Sequence, residues 1–125
     1  MILLLDAHAV LWALVEPQTI ATSTRESIES PANDVVVSAA SIWELEIKRA
    51  IGKIEIDVDL VAGLERAAAT IVPITGADAI RAARLPMHHR DPFDRMLVAQ
   101  AQRLGAVLVT RDPAFARYDV EVLAA

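Results

Sequence analysis

The sequence predicts an α/β fold in one domain, with helices packed on both faces of a mostly parallel sheet. Short runs of leucine or β-branched residues alternate with longer segments of helical spacing. The 125 residues suffice for one hydrophobic core. The apolar fraction of 54% consists mainly of Ala, Val, Leu and Ile, which is typical of strands buried under helices. We therefore expect a single domain over residues 1–125 with a sheet of about five strands.

The first half of the chain predicts two strands and three helices. Pro17 and Pro31 end two helical runs, because the proline ring cannot continue a helix. Gly52 is typical of the residue just beyond the end of a third. The predicted elements are a strand at 2–5, helices at 8–15 and about 19–30, a strand at 35–37 and a long helix through residue 48.

The second half predicts three strands and three helices. Pro86 ends one helix, and Asp91 followed by Pro92 predicts the start of the next. Gly105 follows the last residue of that helix. The predicted elements are a helix at 58–69, a strand at 71–74, helices at 77–85 and 92–104, and strands at 106–110 and 120–123.

Four acidic residues fall near the same predicted edge of the sheet. Asp6 follows the first strand, and Asp112 follows the strand at 106–110. Glu44 lies one and a half to two turns into the helix after the second strand, and Asp94 lies in the first turn of the helix at 92–104. Ligands bind outside the carboxyl ends of the strands in such sheets. The sequence therefore predicts a cluster of carboxylates there.

Each acid also has a purely structural interpretation. Asp6 could cap the following helix, and Ser41 with Glu44 could form a capping box. The run 91–94 also fits an N-cap, a proline and a favourable acid in the first turn. Asp112 before Pro113 is typical of a turn. Capping does not explain why all four acids share one edge.

The chemistry of a carboxylate cluster limits its use. Carboxylates a few Å apart repel one another by several kcal/mol at an effective dielectric of about 20, so they must protonate, pair with a base or bind a cation. Without Cys or an organised His set, oxygen ligands favour Mg²⁺ or Mn²⁺. Such an ion can activate water and hold a phosphate, which indicates a phosphodiester substrate.

Positive charge is concentrated late in the chain. The net charge is −5, yet residues 81–117 contain seven arginines and three aspartates. Solvated helix faces would explain this pattern, and so would contact with a polyanion. The candidates for RNA phosphate contacts are Lys48, Arg90, Arg95 and Arg111.

Blocks of residues along nearly the whole chain resemble the PIN-domain proteins of the VapC toxin type. They occur in the order found in that family. The blocks are Leu3 to Asp6, Ser41 to Glu44 with Ile47-Lys48 and Gly52-Lys53, His89 to Ala101, and Thr110 to Asp112.

The resemblance implies a PIN-like three-layer α/β/α fold and a metal-dependent endoribonuclease. In such a toxin, metal-activated water hydrolyses RNA phosphodiesters, and a cognate antitoxin blocks the site. The family is commonly homodimeric. By position, the catalytic and metal-binding residues would be Asp6, Glu44, Asp94 and Asp112, with Mg²⁺ or Mn²⁺ as the cofactor. Asp91 matches a further acid that assists the site or only caps the helix.

One departure from the family concerns the residue after Asp6. Many relatives carry Thr or Ser there, whereas this chain has Ala7. The missing hydroxyl puts the catalytic efficiency in question more than the type of reaction. His8 follows, at a helix end where a structural role is at least as well supported as a substrate contact. His88 and His89 are adjacent, so we expect their rings to point in different directions and not to form a metal pair.

Two aromatic residues precede acids of the predicted cluster. Trp43 and Phe93 stand beside residues with helical apolar spacing, so we expect them in the core beneath the site and not stacked on bases. Trp12 makes the first helix unusually apolar, which suggests a partner on its outer face.

Other classes of protein fit less well. A phosphoacceptor domain would need an acid pair at the first strand and a lysine after the last, and neither is present. A noncatalytic PIN-like module that binds RNA or a partner remains the alternative, although all four ligand positions are acidic. No apolar run has the length of a membrane span, no basic leader precedes Asp6, and Cys is absent, so we expect a cytoplasmic protein.

Overall fold

The computed structural model describes all 125 residues and has the predicted α/β architecture. The strands are β1 (Ile2–Leu5), β2 (Asp34–Ser38), β3 (Thr70–Val72), β4 (Val107–Thr110) and β5 (Val122–Ala124). The helices are α1 (Ala7–Val15), α2 (Thr22–Glu29), α3 (Ala39–Ala50), α4 (Leu60–Arg66), α5 (Gly76–Arg84) and α6 (Pro92–Leu104). Two short 3₁₀ turns are Pro17–Thr19 and Pro113–Arg117.

All five strands are parallel and lie in the order β3-β2-β1-β4-β5. The chain adds β2 and β3 on one side of β1 and then β4 and β5 on the other, so the strand order reverses beside β1. The amide of Asp6 donates to the carbonyl of Val109 at 3.0 Å, which continues the pairing of β1 with β4 past the end of β1. The expected ligand crevice therefore lies outside the ends of these two strands.

The core has two parts, one on each face of the sheet. Side chains alternate along a strand, so Leu3 and Leu5 pack with α1 and α4, whereas Leu4 packs with α6. This division gives the three layers. The fully buried central residues include Leu3, Leu4, Leu5, Val37, Leu97, Val98, Leu108 and Val109.

Most element boundaries fall within a few residues of those predicted, and α6 matches at both ends. Gly105 caps α6 with a φ of 62°, a backbone conformation that costs glycine little. The predicted helix at 58–69 is shorter because Asp59 caps it at one end and Ala68 turns left-handed at the other, with a φ of 58°. None of the helices is long and apolar enough to cross a membrane.

Candidate active site

Asp6 both caps α1 and faces the crevice. One carboxylate oxygen, Oδ1, accepts the amide of Ala9 at 2.8 Å, and Oδ2 accepts the hydroxyl of Thr110 at 2.6 Å. Burial raises the pKa of Asp6 above its ordinary value despite these two hydrogen bonds, and the charge of Glu44 raises it further. Capping and membership of an acid cluster are therefore compatible for this residue.

Thr110, the last residue of β4, links Asp6 to Asp112. Its hydroxyl donates to Asp6 and accepts the amide of Asp112 at 3.1 Å. Asp112 in turn caps the following 3₁₀ turn, because Oδ1 accepts the amide of Ala114 at 2.9 Å. Thr110 was not among the predicted site residues. A hydroxyl residue at the end of the predicted strand, two residues before Asp112, was the sequence feature that could have indicated its role.

Glu44 lies in the second turn of α3 on a largely buried part of its surface. The helix is capped by Ser38, whose hydroxyl accepts the amide of Ala40 at 3.0 Å. The alternative of a capping box between Ser41 and Glu44 is therefore wrong, because α3 begins earlier than that alternative needs. Glu44 has a side chain that is 12% exposed and pairs with Lys48 at 2.8 Å, one turn further along.

Asp91 and Asp94 lie at the start of α6. Asp91 caps the helix by accepting the amide of Phe93 at 2.8 Å. Burial is the main reason that the pKa of Asp94 is raised to about 7; the charges of Asp91, Glu44 and Asp6 add to this rise, and His89 opposes it. The structure thus brings Asp6, Glu44, Asp91 and Asp94 close enough to influence one another.

His89 completes the cluster and was missed as a site residue. Its Nε2 lies 2.8 Å from Oδ2 of Asp94 and 3.3 Å from Oδ2 of Asp112. The amide of Asp91 donates to Nδ1 at 3.2 Å, so a neutral ring carries its proton on Nε2, facing the two carboxylates. His88 instead packs on Tyr118, with ring centroids 5.1 Å apart, so the two neighbouring rings diverge as expected.

Arg95 was predicted to contact RNA phosphate, but it is buried and its guanidinium is bonded to backbone carbonyls. The residue is 7% exposed, and its guanidinium donates to the carbonyls of Ala82 and Leu85 at 2.8 and 2.9 Å. It also donates to the carbonyl of Pro86 at 3.1 Å. Arg95 therefore ties the end of α5 and the following loop to α6. Sequence could not show this, because the carbonyls lie about ten residues away.

The other three residues predicted to contact phosphate differ in whether their charged groups are already bonded within the chain. Lys48 pairs with Glu44. Arg111 lies over the ring of Trp12 at 4.2 Å and donates to the carbonyls of Thr19 and Ala125 at 2.8 and 3.1 Å, so it anchors the end of the chain. Arg90 is exposed in the loop beside His89.

Trp43 is exposed, which overturns the expectation that it lies in the core. Its residue surface is 60% accessible, whereas Phe93 is half-buried. The two rings meet edge to face, with centroids 5.1 Å apart and planes at 71°. The apolar spacing of α3 indicated a buried face, but the position of Trp43 relative to α6 depends on tertiary packing.

Residues 3–121 match the family model of the PIN domain. The chain belongs to the PIN domain family. It is also 33% identical over 112 residues to Ribonuclease VapC22 of Mycobacterium tuberculosis, an alignment that covers 87% of this chain and 85% of that protein. The resemblance drawn from the sequence blocks is thereby confirmed.

Solved structures share the fold of this PIN domain. The structure of VapBC2 from Rickettsia felis bound to a DNA fragment from its promoter superposes with a TM-score of 0.74 at 16% identity, covering 99% of this chain and 98% of that one. The DNA-bound VapBC of Salmonella typhimurium gives 0.72 at 16% identity, with the same coverage of 99% and 98%. At this identity the likeness concerns the fold, and it confirms the three-layer PIN-like arrangement.

The side chains of this PIN domain fit a hard divalent cation. The donors are carboxylate oxygens, the ligands preferred by Mg²⁺ and Mn²⁺. Burial and then the neighbouring acids raise the pKa of Asp94 to about 7, and a bound cation would offset the repulsion among these acids. Ser41 lies one turn before Glu44 on α3, and its buried hydroxyl has no hydrogen-bond partner. Carboxylate oxygens of Asp94 and Asp112 lie within 4.8 Å of each other beside Nε2 of His89.

Proposed function

We propose that this PIN domain is a metal-dependent endoribonuclease that acts as the toxin of a toxin–antitoxin pair. The observation that carries the proposal is the convergence of acids at the crevice beside β1, where Asp94 and Asp112 both lie next to Nε2 of His89 and Thr110 joins Asp6 to Asp112. Such a site needs a cation and suits a phosphodiester. The likeness to a protein named as a ribonuclease supports RNA as the substrate.

Asp6, Glu44, Asp94 and Asp112 are the residues that would hold Mg²⁺ or Mn²⁺, directly or through water. A bound divalent ion supplies Lewis acidity, which polarises a phosphoryl oxygen and makes water more acidic. Asp91 remains the cap of α6 and adds negative charge beside Asp94.

The other side chains orient this site. Thr110 fixes the rotation of the Asp6 carboxylate and the backbone of Asp112 at the same time. The Nε2 proton of His89 points between Asp94 and Asp112, where it can bond to a phosphate oxygen or to the departing 3′-oxygen. Hydrolysis by water gives a 5′-phosphate and a 3′-hydroxyl. Ala7 supplies no hydroxyl next to Asp6, so the rate is expected to be lower than with Ser or Thr at that position.

An antitoxin should close the site by replacing the charge of the metal ion. An Arg or Lys from the partner can bond two carboxylates at once. A cavity of about 330 Å³, lined by residues such as Leu14, Ile28 and Leu64, offers room for apolar side chains of the same partner. Related folds have been solved as VapBC complexes, which supports a partner of this kind. We place the pair in the cytoplasm, where its RNA substrate is found.

A homodimer is the proposed assembly, with contacts through α1 and the alanine-rich α5. Two-fold symmetry would bring two copies of the Arg-rich region together along one groove. Sedimentation should show a dimer at micromolar concentration, and a monomer at high micromolar concentration would remove the dimer while leaving the site intact.

The test of the function is cleavage of total RNA by the purified chain with Mg²⁺ or Mn²⁺, with EDTA, and with the Asp94→Asn variant. We expect cleavage only in the wild-type protein with metal, with products that a 5′-phosphate-dependent exonuclease degrades. Cleavage in EDTA, or products with a cyclic phosphate, would contradict the mechanism. Tight RNA binding without cleavage under every condition would favour a noncatalytic module.

A further inference from the structure

An exposed tryptophan, Trp43, and the half-buried ring of Phe93 that contacts it have no role in the proposed mechanism. Trp43 is 60% exposed, although an indole is among the side chains that gain most from burial. Phe93, from a different helix, packs its ring at 71° to the indole at a centroid distance of 5.1 Å. This edge-to-face contact supports the indole and holds it in place while much of its surface stays in solvent.

The pair lies beside the acid cluster on both helices. Trp43 precedes Glu44 on α3, and Phe93 precedes Asp94 on α6. Consecutive Cα atoms are about 3.8 Å apart, so the backbone of each aromatic residue adjoins that of an acid in the site. A nucleotide whose phosphate lies at the carboxylates would have its base within reach of this region.

We propose that Trp43, supported by Phe93, stacks on a nucleobase of single-stranded RNA next to the phosphate that is cleaved. The proposal rests on the endoribonuclease function and adds the form of the substrate. Unpaired bases expose a face that aromatic side chains bind, and this contact tolerates any base. Bases within a duplex are already stacked, so Trp43 favours loops and unpaired segments.

The alternative to RNA at this surface is a protein that binds Trp43 and the residues after it on α3. Ile47 and Ile51 follow Trp43 at helical spacing and are 37% and 62% exposed, so an apolar stripe continues along α3. A protein that covers this stripe would need all three residues. RNA needs only the end that adjoins the acids, which is also the only end supported by Phe93. Ile51→Ala is therefore the matched control for Trp43→Ala.

Binding can be measured without cleavage in an Asp94→Asn protein that also carries Trp12→Phe, which leaves Trp43 as the only tryptophan. A short single-stranded RNA should quench its fluorescence, and an abasic strand of equal length and charge should not. Trp43→Ala should weaken binding of the RNA, followed by fluorescence anisotropy, about fivefold or more, whereas Trp43→Phe and Ile51→Ala should bind within about twofold. Equal quenching by the two strands, or unchanged affinity in Trp43→Ala, would overturn the stacking.

Cleavage assays separate failure of this inference from failure of the proposed function. With the native Asp94, Trp43→Ala should cut a single-stranded RNA with a KM raised about fivefold or more, and Trp43→Phe should restore the wild-type value. If the wild-type protein cuts RNA and Trp43→Ala cuts it with the same KM, the stacking is wrong and the ribonuclease stands. If Trp43→Ala and Ile51→Ala both abolish self-association and neither changes RNA binding, the stripe is a protein surface and the stacking is wrong.

Discussion

Asp78 and Asp94 are both aspartates in the first turn of a helix, yet their surroundings have opposite effects. Asp78 is 1% exposed and accepts bonds from Arg103 at 2.5 and 3.0 Å. Gln100 donates to it at 3.2 Å, and it closes the capping box with Thr75. The bond from Arg103 is the main reason that the pKa of Asp78 lies well below its usual range. For Asp94, burial and neighbouring acids raise the pKa to about 7.

The comparison shows that burial alone does not decide the charge of a carboxyl group. Asp78 has a cation from its own chain, which allows it to join α5 to α6 as a structural ion pair. Asp94 has other carboxylates beside it and only the imidazole of His89 as a basic partner. This contrast is the physical basis for proposing that an external cation binds beside Asp94, where no arginine of the chain pairs with the carboxylate.

The largest expected effect is on activity and comes from Asp94→Asn. The amide keeps the shape of the side chain but removes the charge of a proposed metal ligand, so RNA cleavage should fall at least about 100-fold, more than the loss of a residue that only orients a ligand causes. Circular dichroism should show an unchanged fold, and the metal-free variant should unfold at the same or a higher urea concentration. A variant that unfolds would make Asp94 a structural residue first.

Asp78→Asn should show the reverse pattern. Losing the charged partner of Arg103 should lower the free energy of unfolding by about 2 kcal/mol, a value at the low end for charged pairs because Arg103 is 34% exposed. Cleavage per folded molecule should stay near the wild-type rate. Urea unfolding and a cleavage assay well below the melting temperature measure the two quantities. If Asp78→Asn lost cleavage and kept full stability, Asp78 would behave as Asp94 does, and its role as a structural ion pair would be wrong.

Thr110→Val should act on the metal site with a smaller effect. The methyl group cannot donate to Asp6 or accept from Asp112, so the affinity for Mn²⁺ in calorimetry should fall about tenfold, as for other outer-shell partners. Thr110→Ser keeps the hydroxyl and should retain most of the affinity. Equal affinity in the valine variant would mean that Thr110 only completes the strand.

The dependence of stability on pH should have opposite signs for the two aspartates. Because the pKa of Asp94 is raised from 3.8 to about 7, its contribution to stability is fully present below pH 3.8 and is lost as the pH rises to about 7. The lowered pKa of Asp78 contributes stability above pH 3.8 that is lost as the pH falls further. Urea unfolding in EDTA from pH 4 to 8 should show a decline in the wild-type protein that is smaller in Asp94→Asn. Identical profiles for the two proteins would contradict the raised pKa.

Features set by local sequence could be predicted, whereas features set by contacts between distant residues could not. Strand ends, caps and Gly105 are local signals, so the fold and the meeting of the acids at one edge followed from the sequence. The surroundings of His89, Arg95 and Trp43 did not follow, because they depend on contacts between separate elements. A helical pattern cannot tell whether an arginine reaches carbonyls of another helix or whether a tryptophan stays exposed.

We propose that the acids around Asp94, of which only Glu44 pairs with a lysine of the chain, bind a divalent cation. The direct test is the melting temperature of the EDTA-treated protein as Mg²⁺ or Mn²⁺ is added, with wild type, Asp94→Asn and Asp78→Asn compared. An ion that binds only the folded state stabilises it by about 2.7 kcal/mol at 100 times its dissociation constant. We expect the melting temperature to rise by several degrees at millimolar metal for wild type and Asp78→Asn, and little or not at all for Asp94→Asn. No shift in the wild-type protein, or an equal shift in all three, would contradict it.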